Sequence, residues 1–138
     1  MLKQRTPNVF FVLLLLWLTA ATAFPRFPEQ PEDVSQLELS YRIYNEEYFD
    51  NRLPREVIIY WDASLGVDEL GVTSRSQSTE QFVVRLSLNL QFSEALTRMV
   101  LLHEMVHIKL WGVTRGHGQP FQDEMLSLAK KGAFQNLW

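Results

Sequence analysis

The sequence has 138 residues, 46% of them hydrophobic, enough for one domain with a core and too few for two of ordinary size. Its net charge of −3 argues against a surface built to bind nucleic acid or another polyanion. Cysteine is absent, which excludes disulfides, thiolate metal sites and a catalytic thiol, so stability has to come from packing and from any bound metal.

Residues 1–23 read as an export signal. Lys3 and Arg5 form a basic start, Val9 to Leu18 is an unbroken apolar run, and Ala21-Thr22-Ala23 is an A-x-A cleavage pattern. Cleavage is expected before Phe24, with an uncleaved membrane anchor as the alternative. Either way the domain is expected outside the cytoplasm, secreted or periplasmic in the first case and tethered in the second. Loss of Lys3 and Arg5 would deepen the net charge from −3 to −5, a further reason to expect no nucleic-acid partner. Residues 24–31 hold three prolines and are expected to be an extended, flexible leader. The folded domain is then residues 32–138.

From Glu32 onward, Val34, Leu37, Tyr41, Tyr44 and Tyr48 recur at spacings of three and four, the stripe of a helix with one buried face. It is expected to end near Asp50-Asn51, before Pro54. Glu56 to Trp61 is a β-branched and aromatic run and reads as a strand, with a loop after it and a second strand starting at Gly71. In a third strand, Gln81 to Leu88, the residues Phe82, Val84, Leu86 and Leu88 alternate with Gln81, Val83, Arg85 and Ser87, and Gln77 to Glu80 forms the turn before it. Ser93 is a good N-cap and Gly112 a good stop, bracketing a helix of about 18 residues that is apolar nearly all round and so belongs inside the domain. After the glycine-flanked His117, Pro120 opens a last helix in which Phe121, Met125 and Leu128 face inward until Gly132. These elements predict an α+β domain, a small three-stranded sheet packed on the apolar helix with one helix at each end.

The apolar helix contains His103-Glu104-Met105-Val106-His107, the H-E-x-x-H pattern. Two histidines four apart lie on one helix face about one turn apart, so both imidazoles can reach a single zinc. Glu104 lies beside that face, where it can take a proton from water without ligating the metal. The third and last histidine of the chain, His117, follows in the next loop and is the expected third ligand. Glu124 competes for that place, because some zinc enzymes use a carboxylate from the following helix. The opposing reading, two core histidines and a carboxylate buried without metal, costs several kcal/mol unless every group finds a partner. Metzincins place their third histidine six residues after the second, whereas position 113 is valine and His117 comes ten residues after His107.

Tyr44-Asn45, Phe49 to Pro54, Trp61, Gly71, Leu86-Ser87, Leu101 to His107, Gly116 to Gly118 and Phe121 together resemble the SprT-like (Spartan-type) zinc metallopeptidase family, over about Tyr41 to Ala129. The resemblance implies a minimal zincin fold, one catalytic Zn2+ on His103, His107 and His117, Glu104 as catalytic base, and peptide-bond cleavage in protein or peptide substrates. The family's frequent links to DNA do not carry over, since the chain has no cysteine for a zinc ribbon and no basic patch. A substrate is expected to add as a strand to the sheet edge, for which the Gln81–Leu88 strand is the first choice. The alternative function is a catalytically weak zinc-binding or scaffold protein of the cell envelope.

Overall fold

In the computed structural model the described residues are 35–114 and 116–137. The expected export signal and leader, residues 32–34 of the expected first helix, and Arg115 lie outside them. Among the described residues no helix is long and apolar enough to cross a membrane.

The first helix, α1, is Gln36–Phe49. It opens at Gln36 because Ser35 and Glu38 form a reciprocal cap: the Glu38 N–H donates to Ser35 Oγ at 3.2 Å, and the Ser35 N–H donates to the Glu38 carboxylate at 3.1 Å. It stops where Asp50 and Asn51 both adopt left-handed backbone, each with φ of 56°, a conformation that Asp and Asn tolerate better than other side-chain-bearing residues. The buried stripe is Leu37, Tyr41, Asn45 and Phe49, one strict i, i+4 row. Tyr44 and Tyr48, expected to be part of the buried face, sit on its flank and are only partly covered.

Asn45 is the polar member of that row, and its partners explain why it can be buried. Its amide donates to the Leu53 carbonyl and accepts from the Leu53 N–H, both at 3.1 Å. The Tyr41 hydroxyl donates to the Pro54 carbonyl at 2.8 Å. The segment after α1 is thus clipped back against the helix and enters the sheet from a fixed position.

The sheet has three strands, β1 (Val57–Asp62), β2 (Gly71–Arg75) and β3 (Phe82–Ser87), in the order β1-β3-β2. β3 runs parallel to β1, with Val57 opposite Phe82, and antiparallel to β2, with Gly71 opposite Leu86. β3 is therefore the central strand, which corrects the expectation that it offers an edge to substrate: both of its edges are already paired, and among the described residues the outer strands of the sheet are β1 and β2. Its central place accounts for the complete burial of Val84 and Leu86. The chain leaves the strand at Ser87 for a 3₁₀ turn over Leu88–Phe92, so Leu88 drops out of the expected alternation and is 41% exposed.

Helix α2, Glu94–Lys109, starts on Ser93, whose hydroxyl accepts from the Leu96 N–H, and crosses the sheet against β2 and β3. Leu101, Leu102, Met105 and Val106 are fully buried on it, each burial contributing about 1.5–3 kcal/mol. Helix α3, Gln119–Lys130, has proline in its first turn and covers α2 with Phe121 and Leu128. The expected α+β architecture is the one found.

Replacing Asn45 by alanine would leave the Leu53 N–H and carbonyl buried without partners, and we expect Asn45→Ala to cost about 2–4 kcal/mol. The urea midpoint of the purified domain measures this. A loss under about 0.5 kcal/mol would mean that the clip is not what holds the turn.

Candidate metal centre

Helical spacing puts His103 and His107 on adjacent turns of α2, on the side facing the segment that leads to α3. That segment turns back on two glycines in left-handed conformation, Gly112 (φ 79°) and Gly116 (φ 73°), a region that costs glycine nothing and a side-chain-bearing residue a good deal. The reversal brings His117 over the helix. His117 Nε2 lies 2.9 Å from His103 Nε2, and His107 Nε2 lies 3.2 Å from the same atom. The three candidate ligand atoms all fall within 4.8 Å of one another. One tetrahedral zinc with ligand distances of 2.0–2.1 Å holds its nitrogens about 3.3 Å apart, so the cluster has the donor type, number and spacing that such an ion requires.

The phenyl ring of Phe121, buried at the first turn of α3, forms the floor of the cluster. Its centroid is 4.7 Å from the centroids of His103, His107 and His117 alike. One apolar ring thereby restricts the rotation of all three imidazoles. Burial, reinforced by the other two imidazoles, lowers the His103 pKa to about 4. His107 is lowered in the same way, by burial first and His117 second. Neutral imidazoles with available lone pairs are the form that binds a metal.

Glu104 is 4% exposed, beside the histidines and turned toward the sheet. Its Oε2 accepts a hydrogen bond of 2.7 Å from the Thr73 hydroxyl on β2. Burial raises its pKa to about 7, Thr73 pulls the other way, and Glu69 adds a smaller upward push. Glu104, Thr73, Gly71, Val72, Glu69 and the three histidines line one cleft of about 840 Å3, together with Trp111 to Thr114. Of the sequence-derived candidates, His103, Glu104, His107 and His117 are brought together. Glu124 is not among them, since its carboxylate is held by Lys109 Nζ at 2.6 Å.

Three contributors are not apparent from motif spacing. Thr73 is 31 residues from Glu104, and only the pairing of β2 with β3 brings it there. Phe121 enters the sequence reading as an inward-facing residue and as part of the family resemblance, neither of which gives it a place under the histidines, and Glu69 reads as part of a loop.

The sequence model of the SprT-like family matches residues 37–136, so the match covers α1, the sheet, α2 and α3. Comparison with curated proteins and with solved structures gave no match. The chain belongs to the SprT-like family of zinc metallopeptidases.

Proposed function

We propose that this domain hydrolyses peptide bonds of protein substrates, with His103, His107 and His117 as the ligands of one zinc ion and Glu104 as general base. The observation that carries the reading is the convergence of three imidazole nitrogens beside a buried carboxylate that has no ion-pair partner among the described residues. Zinc, when bound, supplies a Lewis acid that acidifies water and polarises the scissile carbonyl. Glu104 takes the proton from the attacking water and is positioned to return it to the leaving amine.

Substrate alignment is assigned to β2. Gly71, Val72 and Thr73 border the cleft, and among the described residues β2 pairs with β3 alone, so an extended peptide can add to its other side as a further strand. Trp111 and Val113, both exposed and lining the same cleft, offer apolar surface to the side chains of such a peptide. A scaffold that merely holds zinc has no need of Glu104, whose burial as a carboxylate is costly. An exported location rests on the signal-like sequence of residues 1–23. Intact-mass analysis of exported protein tests it: a chain starting at Phe24 is expected, and recovery of only the full-length chain would refute cleavage.

Glu104→Gln keeps the size and hydrogen-bonding capacity of the side chain but cannot accept the proton. One zinc per chain and an unchanged circular dichroism spectrum are expected, with hydrolysis of an unstructured protein substrate slowed about 10²- to 10⁴-fold. Turnover at the parental rate would remove Glu104 from the mechanism.

His117→Ala opens the coordination sphere and is expected to weaken zinc binding about tenfold or more, while Glu124→Ala loses only its contact with Lys109 and changes affinity little. Competition with a chromogenic chelator measures both. A larger effect at Glu124 would reverse the assignment of the third ligand.

A further inference from the structure

The general base itself needs explaining, because a glutamate side chain has three rotatable torsions and a helix position alone does not fix where its carboxylate points. Two residues of β2 touch it. Gly71 and Thr73 are separated by one residue on a strand, so they project to the same face of the sheet, the face on which α2 packs.

The Thr73 hydroxyl has one proton to donate and two acceptors in reach, Glu104 Oε2 at 2.7 Å and the Glu104 backbone carbonyl at 3.2 Å. The shorter contact is the stronger hydrogen bond, which assigns the hydroxyl proton to the carboxylate. The other carboxylate oxygen lies over Gly71. A Cβ built on Gly71 would come within 2.7 Å of Glu104 Oε1, 2.7 Å of Val100 Cγ1 and 3.0 Å of Glu104 Cδ, closer than such atoms approach one another without something moving. With the carboxylate buried and Val100 packed against the core, there is little room for that movement.

We infer that Gly71 and Thr73 are positioning residues of the general base: the Thr73 hydroxyl fixes Oε2, and the missing side chain of Gly71 leaves the space that Oε1 occupies. Among the described residues no hydrogen bond engages Oε1, so Oε1 is the oxygen left to receive the proton. Both positioning residues lie on the strand assigned to hold the substrate. The base and the peptide bond it serves are therefore set by the same five-residue segment, Gly71–Arg75, and β2 acts as a common ruler for the two. This inference rests on Glu104 being the base.

Thr73→Val keeps shape and β-branching and loses only the hydroxyl, whereas Thr73→Ser keeps the hydroxyl. With the zinc-loaded protein and an unstructured protein substrate, Thr73→Val is expected to lower kcat about 10- to 100-fold with little change in KM and one zinc retained, and Thr73→Ser to restore most of the loss. Gly71→Ala is expected to lower kcat as well, again with zinc retained. Crystal structures of the variants supply a readout independent of turnover: the Glu104 carboxylate stays in place in Thr73→Ser and is displaced in Thr73→Val and Gly71→Ala. Thr73→Val at the parental kcat while Glu104→Gln is inactive would overturn the inference, as would a Thr73→Ser variant no better than Thr73→Val. Parental activity in Glu104→Gln would instead refute the base itself. Should Thr73→Val fail to fold, Gly71→Ala decides: a lowered kcat with a displaced carboxylate supports the inference, and a parental kcat with the carboxylate unmoved overturns it.

Discussion

Helix α2 has to satisfy two opposed requirements within one run of sixteen residues. It is the apolar centre of the domain, with Leu101, Leu102, Met105 and Val106 fully buried, and it also carries two imidazoles and a carboxylate, groups that lose solvation when buried. The 3.6-residue repeat separates the two demands around the helix. Leucine, methionine and valine face the sheet and the flanking helices, His103 and His107 face the reversal that carries His117, and Glu104 falls at the seam with β2. Each neighbour of α2 then has a definite role, with β2 receiving the carboxylate and α3 supplying Phe121 beneath the imidazoles.

The electrostatics of the cluster follow from that crowding. Burial and mutual repulsion keep His103 and His107 neutral, and burial with Glu69 nearby favours the protonated form of Glu104. Both trends reduce charge in a poorly hydrated place. A divalent cation among the imidazoles would reverse the second trend, since a positive neighbour favours the ionised carboxylate. Metal binding would thus be linked to ionisation of Glu104 through the same few ångströms, and would give a chain without cysteine a stabilisation that packing alone does not give.

Much of this fold and site is legible in the amino-acid sequence, and the part that is not has a common physical origin. Elements with a single strong period are readable: α2 from its apolar residues and its Ser93 cap, β3 from alternation, α3 from Pro120 and its inward row. H-E-x-x-H places His103, Glu104 and His107 through local helix geometry, and the next histidine along, His117, completes the three-imidazole cluster. The features that escape such reading depend on contacts distant in sequence. Strand order is set by how β3 inserts between β1 and β2, which alternation within β3 says nothing about, and the expected edge strand is wrong for that reason. Asn45 breaks the hydrophobic stripe because two backbone groups of Leu53 satisfy it. The residues Asn45 and Phe49 to Pro54 that carry part of the family resemblance thereby acquire a structural reason: they make the turn that delivers the chain to β1.

The edge position of β2 has a further consequence. An edge strand exposes unpaired backbone groups, and proteins commonly keep such strands short or interrupted to avoid unwanted pairing. β2 has only five residues, beginning with Gly71 and ending at Arg75, whose guanidinium donates to the Glu80 carbonyl at 2.9 Å and closes the hairpin at the strand's exposed end. Glycine is a poor strand residue by intrinsic preference, and its presence at the head of β2 is explained by what lies against it, the carboxylate of Glu104 and the side chain of Val100. Local strand propensity yields there to the space needed by a buried acid on the facing helix, a trade that marks functional positions within otherwise consistent folds.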